Sequence, residues 1–368
     1  MAVVFGTRPE AIKMCPLVDE LKRCADLSVL TCVTGQHREL LDGAMSAFGV
    51  VPDVKLSVMR DGQSLSELTA SMLSELEKVF EEHQPDAVVV HGDTCTAFAA
   101  TLAAFYMKIP VYHVEAGLRT YNMHSPFPEE FYRRAISLVS ELHFAPTETA
   151  RENLLCEGVD EEKIFVVGNT VVDSLKYTLR EDYSDNLLEW VGGRRLVLLT
   201  AHRRENLGSA MENIFLAVRE VLAERKDVAV IYPMHPNPEV RETAERILGG
   251  CESIKLCEPL DVRSFHNLLS RAYMVLTDSG GIQEEACALG VPTLVVRETT
   301  ERGEGVSTGG IRLIGTGKPK VARAFAELLD NPESYDKMRF SQNPYGDGTA
   351  SAQICQIMRK KLALFTEL

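Results

Sequence analysis

The 368-residue sequence lacks several patterns that would assign it to a common class of protein. No stretch approaches the roughly eighteen consecutive apolar residues of a membrane-spanning helix. Its nine cysteines, an odd number, include no C-x-x-C pair, which indicates reduced thiols in a cytoplasmic protein, neither a disulfide framework nor a zinc site. The strand-like start has no basic n-region and no small-residue cleavage site, so we expect no signal peptide.

The signatures of common cofactor and nucleophile sites are also missing. No G-x-G-x-x-G follows the first strand, so no nicotinamide or flavin dinucleotide is expected. The segment 315–318 (GTGK) lacks the first glycine of a P-loop and runs into Pro319. No H-E-x-x-H or Cys/His cluster predicts a metal, and no G-x-S-x-G predicts a serine nucleophile. We therefore expect acid–base chemistry without a cofactor or metal.

The formal charge of −14 makes the chain a poor partner for nucleic acid or anionic membranes. Any bound anion must be held by local positive charge. Each arginine, lysine or histidine beside a glycine turn is therefore a candidate anion-binding residue.

The chain alternates short apolar runs rich in Val, Ile and Leu with amphipathic stretches such as 64–82 and 211–226. Such runs are typical of parallel strands covered on both faces, and the alternation predicts a doubly wound α/β fold. The predicted strands are 3–5, 27–33, 86–91, 111–115, 142–145, 164–167, 196–200, 228–233, 254–256, 274–278 and 293–296. The length, and a polar, turn-rich gap at 182–193, predict two Rossmann-like domains that face a central cleft. We place them at 1–180, joined by the C-terminal helix 350–368, and at 181–349.

The stretch 273–286 (YMVLTDSGGIQEEA) has the pattern of a buried strand, a tight turn and a helix N-terminus. Backbone N–H groups at Gly280 and Gly281 and the helix dipole would suit a phosphate. Ser279 adds a hydroxyl, and Glu285 is placed to accept a hydrogen bond from a sugar hydroxyl. An ordinary strand-to-helix turn explains this stretch equally well when it is considered alone.

Nearly every predicted strand ends in ionisable residues, although stability alone requires only turn residues there. Because ligands of open α/β sheets bind at the carboxyl ends of strands, these side chains are candidates for one site. The cations that would hold a diphosphate are Arg8, Lys13, His202, Arg203 and Arg302. The carboxylates that would act as acids and bases are Asp93, Glu115, Glu129 and Glu130.

In these motifs the chain resembles the non-hydrolysing UDP-N-acetylglucosamine 2-epimerases over nearly its whole length. The matching segments are 5–13 (FGTRPEAIK), 35–38 (GQHR), 91–94 (HGDT), 113–120 (HVEAGLRT), 126–130 (PFPEE), 167–173 (VGNTVVD), 201–206 (AHRREN), 278–285 (DSGGIQEE) and 299–302 (TTER). Any one segment is weak, but this many in order are highly specific.

The resemblance implies the two-domain GT-B glycosyltransferase-like architecture and the reversible conversion of UDP-N-acetylglucosamine to UDP-N-acetylmannosamine. The reaction would proceed by anti elimination of UDP, a 2-acetamidoglucal intermediate and re-addition. The resemblance assigns proton chemistry to Asp93, Glu115 and Glu129, with Lys13 and His202 in support. The UDP-sugar ligands it implies are Arg8, Lys13, His202, Arg203, Ser279, Gly280, Gly281, Glu285 and Arg302. It also implies a cytoplasmic homodimer whose product feeds polysaccharide biosynthesis.

Many bacterial members of the family bind a second substrate molecule as an activator. The matching positions here are Gln36, His37, Arg38 and His235. The chain departs from the family in having Glu39 where glutamine is common and Gly62 where a basic residue is common, so we expect weak or absent activation. The chain departs from the family at two further places. Residues 131–133 (FYR), beside Glu129, lack the asparagine that usually precedes the arginine, and Gly303 follows Arg302 where the family often has proline.

Three other functions are compatible with parts of the sequence. A hydrolysing 2-epimerase would release N-acetylmannosamine and UDP, but the unbroken second-half motifs favour the non-hydrolysing form. A GT-B-type UDP-sugar glycosyltransferase would explain the glycine turn but not the carboxylates of the first half. A nucleotide-sugar sensor would have no use for so many carboxylates at strand ends.

Overall fold

A computed structural model describes residues 1–35, 38–60 and 62–366. The chain divides into two compact units, Met1–Tyr177 with the segment that begins at Tyr345, and Thr178–Pro344. Each unit is built on one parallel β-sheet whose strands alternate with helices. The predicted doubly wound α/β class is therefore confirmed.

The first unit contains a seven-stranded sheet in the order β3-β2-β1-β4-β5-β6-β7. Strands β1 to β7 are Ala2–Phe5, Leu30–Val33, Val54–Lys55, Val88–His91, Val111–Val114, Leu142–Ala145 and Ile164–Val166. Helices α1 to α7 are Arg8–Lys22, Arg38–Ala47, Leu65–His83, Cys95–Tyr106, Glu129–Val139, Glu148–Cys156 and Thr170–Thr178. A 3-10 helix, Glu161–Lys163, precedes β7.

The second unit contains a six-stranded sheet in the order β10-β9-β8-β11-β12-β13. Strands β8 to β13 are Arg195–Thr200, Val228–Pro233, Ile254–Cys257, Met274–Thr277, Thr293–Val295 and Ile311–Leu313. Helices α8 to α15 are Asn186–Val191, Ser209–Leu222, Pro238–Leu248, Val262–Leu269, Gly280–Ala288, Gly303–Thr308, Lys318–Asp330 and Pro332–Arg339. The 3-10 helix Arg204–Asn206 follows β8. The last helix, α16 (Ala350–Thr366), belongs to the first unit and packs against α1.

The central strands are apolar throughout because both of their faces are covered. In the second sheet, Leu199 and Leu276 pack into a core formed with α9, α10 and α14. The residues that precede them, Leu198 and Val275, pack on the opposite face with α8, α11 and α12. Each buried side chain of this size stabilises the fold by roughly 1.5–3 kcal/mol relative to an exposed one.

Every predicted strand is present, with ends that differ by up to three residues. Two of the four edge strands, β3 and β13, were not predicted, because β3 has only two residues and β13 has the charged Arg312 between its two apolar residues. Helix α8 lies inside the polar stretch 182–193, where no element was predicted. Asp185 caps that helix by accepting a hydrogen bond from the Leu188 N–H at 2.8 Å.

In the described ranges no helix is long and apolar enough to cross a membrane. The same part of the chain has no cluster of three or more histidine, cysteine or carboxylate side chains that would hold a metal ion.

Candidate active site

Both sheets reverse their winding between two central strands, β1 and β4 in the first unit and β8 and β11 in the second. At such a reversal the loops at the carboxyl ends diverge, and open α/β proteins bind their ligands there. The loops concerned begin at Gly6, Gly92, Ala201 and Asp278. They contain Asp93, His202 and Arg203, and the loop after β1 leads into α1, which carries Arg8 and Lys13.

Glu115, which follows β5, is held by side chains from three other segments. Its carboxylate forms an ion pair with Lys13 of α1 and accepts a 2.7 Å hydrogen bond from Asn169 Nδ2. The His91 Nε2 atom lies 3.7 Å from the same oxygen. The Lys13 and Glu115 side chains are only 7% and 9% exposed. A nearly buried carboxylate with a fixed orientation is suited to act as a general base.

The backbone of Glu115 adopts a φ of +60°, in the left-handed region that side-chain-bearing residues rarely enter. Such a conformation costs roughly 1–3 kcal/mol and persists only where surrounding contacts enforce it. The contacts to Lys13 and Asn169 contribute to that enforcement.

Asp93, which follows β4, is paired with an arginine from α5. Arg133 Nη2 lies 2.5 Å from Asp93 Oδ2, and Arg133 Nη1 lies 3.5 Å from Glu130 Oε2. Glu130 is fully buried and accepts hydrogen bonds of 3.0 Å from the N–H groups of Thr120 and Tyr121. Glu130, which the sequence suggested as a candidate acid, therefore stabilises the loop before α5 through these backbone hydrogen bonds.

A buried histidine supports the turn that leads to Asp93. The His113 Nε2 atom donates a 2.8 Å hydrogen bond to the carbonyl oxygen of Gly92. Burial lowers the pKa of His113 to about 3, so this side chain is neutral at physiological pH.

Glu10 links the loops after β1 and β4. Its carboxylate accepts hydrogen bonds from the N–H groups of Gly6 at 3.0 Å and Thr7 at 2.8 Å, and from the Thr94 hydroxyl at 2.7 Å. Burial raises the pKa of Glu10 in spite of these bonds. Together Glu10 and Thr7 form a capping box at the start of α1, whose first residue is Arg8.

In the second unit, Asp278 organises the loop after β8. The Oδ2 atom of this buried carboxylate accepts hydrogen bonds from His202 N at 2.8 Å, Arg203 N at 2.9 Å and Asn206 Nδ2 at 3.0 Å. The His202 ring stacks on His235 with centroids 5.1 Å apart. The backbone and ring of His202 are thus both fixed.

Arg302 lies against the first turn of α12. A Cβ atom added to Gly280 would lie 2.8 Å from the Arg302 Cζ atom, so glycine is needed for this close approach. Arg302 Nε donates to Glu284 Oε1 at 3.1 Å, and Nη1 pairs with Glu301 Oε1 at 3.0 Å. A buried guanidinium is thereby held at a helix N-terminus, where both favour an anion.

Glu301 is surrounded by arginines. It pairs with Arg297 and Arg302 at 3.0 Å and with Arg203 at 3.6 Å. Burial opposes its ionisation, but these three guanidinium groups together lower the pKa of Glu301 to about 2. Glu301 therefore carries its negative charge throughout the physiological range and orients the arginines around it.

Glu285 lies deeper in α12 and is buried. Its Oε2 atom is 3.5 Å from His266 Nε2, and His266 Nδ1 is 2.7 Å from the Thr178 hydroxyl. The sequence predicted a contact between Glu285 and a sugar hydroxyl, and that contact stays a prediction.

The remaining predicted residues lie after strands or at helix starts of their own units. Arg8 and Asp93 lie after β1 and β4, and Glu129 is the half-buried first residue of α5. Ser279 precedes α12, which begins with Gly280 and Gly281.

The predicted second-substrate site is only partly within the structure. Gln36 and His37 lie outside the described residues, and Arg38 is the first residue of α2. His235 is stacked on His202. This site stays a prediction.

The supporting residues that were not singled out in the sequence as members of the site include Glu10, Asn169, Asp278 and Glu301. Each lies inside a motif that was recognised, but a carboxylate or amide near a turn is more often a cap. A usable signal existed for Glu10, because Thr7-x-x-Glu10 is the pattern of a capping box.

The chain matches the family model described as UDP-N-acetylglucosamine 2-epimerase over residues 19–359. It is 50% identical over 353 residues to the UDP-N-acetylglucosamine 2-epimerase of Bacillus subtilis, covering 96% of this chain and 93% of the relative. The structure of S. aureus MnaA with UDP has a TM-score of 0.95 at 49% identity, covering 99% of this chain and 97% of that one.

A third relative is the Neisseria meningitidis UDP-GlcNAc 2-epimerase, whose crystal structure holds UDP-GlcNAc. Its TM-score is 0.93 at 44% identity, covering 98% of this chain and 99% of that one. The same fold also occurs at low sequence identity. The structure of a glycotransferase of kitacinnamycin has a TM-score of 0.65 at only 14% identity. The match of motifs, sequence and fold over nearly the full length shows that this chain belongs to the UDP-N-acetylglucosamine 2-epimerase family.

Proposed function

We propose that this protein interconverts UDP-N-acetylglucosamine and UDP-N-acetylmannosamine by inverting C2, without net hydrolysis. The observation that carries the proposal is the Glu115 carboxylate, nearly buried and held by Lys13 and Asn169 at the carboxyl end of β5. Relatives at about half identity have the same named activity, which supports the substrate.

The reaction must make an unreactive hydrogen acidic. The C2 hydrogen becomes removable only while the C1–O bond to UDP breaks and C1 gains cationic character. A base takes the proton, the C2–H electron pair becomes the C1=C2 bond, and the C1–O pair leaves with UDP. A proton is then added to the other face of C2 while UDP returns to C1.

Inversion of C2 requires proton transfer on two faces, so more than one acid–base group is needed. We assign this work to Asp93, Glu115 and Glu129, with Lys13 and His202 in support. The carboxylates of Glu115 and Asp93 are each oriented by a paired cation, Lys13 and Arg133 respectively.

The departing UDP carries negative charge that must be stabilised as it develops. We assign this role to Arg8, His202, Arg203 and Arg302 and to the α12 N-terminus at residues 279–281. Glu285 would accept from a sugar hydroxyl. Closure of the site over the intermediate would keep both fragments bound between the two half-reactions.

Incubation with UDP-N-acetylglucosamine in D₂O, followed by NMR, tests the proposal. We expect deuterium at C2 of both epimers and conversion to UDP-N-acetylmannosamine, with no free UDP accumulating in step with turnover. Stoichiometric UDP and free N-acetylmannosamine would instead identify a hydrolysing enzyme. A requirement for an acceptor would identify a glycosyltransferase, and binding without C2 exchange would identify a sensor.

We further propose that the protein works as a homodimer in the cytoplasm. All nine cysteines are free thiols, which supports a reducing compartment. Phe105, Tyr106 and Leu138 of the first unit are 54%, 59% and 85% exposed, and such apolar side chains suit a subunit interface. Light scattering coupled to size-exclusion chromatography would measure the mass, and a stable monomer at micromolar concentration would contradict the dimer.

A further inference from the structure

The side chain of Asn169 makes two directional hydrogen bonds, one of which reaches the candidate base. Asn169 is 2% exposed and lies between β7 and α7. Its Oδ1 atom accepts from the Val171 N–H at 3.0 Å, and its Nδ2 atom donates to Glu115 Oε2 at 2.7 Å. Because Oδ1 is fixed by a backbone donor, the NH₂ group must face the carboxylate.

The backbone of Asn169 is held by the segment through which the chain re-enters the first unit. We call residues 345–351 the return segment. The Asn169 N–H donates to the Tyr345 carbonyl at 2.8 Å. Gly168, at φ +86°, lies so close that an added Cβ would be 3.0 Å from the Tyr345 oxygen and 3.1 Å from Gly346 Cα. A side chain at residue 168 would therefore push the return segment away from Asn169.

Helix α7 holds the rest of the return segment. Asp173 Oδ1 accepts from the Ser351 N–H at 2.8 Å, and Lys176 Nζ donates to the Gly348 carbonyl. Burial raises the pKa of Asp173, although its hydrogen bonds with Ser351 oppose that shift. The position of Asn169 is thus set from both sides, by α7 and by the return segment.

The contact has a directional effect on Glu115. Lys13 and Asn169 both donate to its Oε2 atom, whereas Oε1 lies on the side of the turn before Asp93. A Cβ atom at Gly92 would be 3.5 Å from Oε1. Two donors at one oxygen favour the ionised carboxylate. They also fix its orientation, because Oε2 is held and Oε1 is left on the other side.

We propose that Asn169 is a positioning residue, which orients the Glu115 carboxylate and keeps it ionised for proton abstraction at C2. This inference rests on the proposed function, because Glu115 must act as a base. The return segment takes part by fixing the backbone of Asn169.

The substitution Asn169→Asp tests the inference. Aspartate is nearly isosteric and keeps the oxygen that caps α7, but it presents a second carboxylate to Glu115. A like charge disfavours ionisation. We expect kcat at neutral pH to fall roughly tenfold or more, and the acidic limb of the kcat profile to move up by about one pH unit. The KM and the Kd for UDP should change less than about threefold, because Asn169 is not assigned to UDP.

Asn169→Ser serves if the aspartate variant does not fold. Its hydroxyl still caps α7 but is too short to reach Glu115, so kcat should fall with little change in UDP affinity. Folding is monitored by circular dichroism and thermal melting. A folded variant with unchanged kcat and pH profile overturns the inference, as does a loss of UDP affinity equal to the loss of kcat. A wild-type protein without C2 exchange in D₂O overturns the proposed function and this inference together.

Discussion

Replacing Gly280 with alanine should weaken UDP binding although it adds a single methyl group. The new Cβ atom would lie 2.8 Å from Cζ, 2.9 Å from Nη1 and 3.1 Å from Nη2 of Arg302. Arg302 cannot retreat freely, because Nε is bonded to Glu284 at 3.1 Å and Nη1 to Glu301 at 3.0 Å. The methyl group must therefore displace the guanidinium from the start of α12.

The expected increase in the Kd for UDP follows from the hydrogen bond to the diphosphate that the displaced Arg302 guanidinium would lose. A charge-assisted hydrogen bond of this kind contributes roughly 1.5–3 kcal/mol. Losing one such bond to the diphosphate corresponds to a roughly 10- to 100-fold increase in the Kd for UDP. Folding stability should change less, because replacing glycine with alanine lowers the entropy of the unfolded chain by roughly 0.4–1 kcal/mol, which offsets part of the strain.

Isothermal titration with UDP measures the effect, and Gly303→Ala is the matched control. Gly303 is also the first residue of a helix, immediately after Arg302, and a Cβ there meets nothing within 4 Å. We expect the control to keep the wild-type Kd. In a double-mutant cycle, Gly280→Ala should cost nothing further once Arg302 is changed to alanine. Additive losses, or an unchanged Kd in Gly280→Ala, would refute the reasoning.

Three further predictions concern other parts of the molecule. Glu115→Gln should abolish epimerisation and C2 deuterium exchange while leaving the Kd for UDP largely intact, and wild-type-like turnover would rule out the proposed base. The pKa of buried His113 is about 3 against an ordinary 6.5, so the unfolded state binds more protons between those values. The contribution of His113 to the free energy of unfolding should be fully present well above pH 6.5 and should fall by a few kcal/mol as the pH drops towards 3. In urea titrations at pH 7 and 5, the free energy of unfolding should depend less on pH in His113→Asn than in the wild type. The pH dependence left in that variant is assigned to His143, whose pKa burial also lowers. Because Glu39 and Gly62 depart from the family pattern, we expect no activation by a second substrate molecule, and the initial rate should depend hyperbolically on substrate concentration. Sigmoidal kinetics that become hyperbolic when a trace of UDP-N-acetylglucosamine is added would contradict this.

The architecture could be predicted from the sequence because burial on both faces leaves a local signal. Strands such as Val228–Pro233 are continuous apolar runs, and the intervening amphipathic helices imply parallel connections. The edge strands Val54–Lys55 and Ile311–Leu313 have no such signal. Their existence depends on a neighbouring strand that offers hydrogen bonds, which is a tertiary property.

Candidate site residues could be named from the sequence by their type and their place after strands, but their pairing could not. Lys13 and Glu115 are 102 residues apart, and nothing local to either one identifies the other as its partner. Asp278 resembles an ordinary helix cap in the sequence, yet it binds the loop after β8 and does not cap α12. Pairings of this kind depend on which strands are neighbours in the sheet, and several sheet orders are compatible with one apolar pattern.

Under the proposed function, the pairings also explain how a chain of formal charge −14 would present cations to a diphosphate. The buried Arg302 is paired with Glu284 and Glu301, and Lys13 is paired with Glu115. Each carboxylate reduces the local positive potential, so long-range attraction of UDP is modest. In return, the side chains are fixed before the ligand arrives, and less ordering entropy is lost on binding. Cations fixed in this way would derive affinity from oriented hydrogen bonds. This arrangement suits the proposed reaction, in which UDP would be held as a detached fragment and still be released at the end of each turnover.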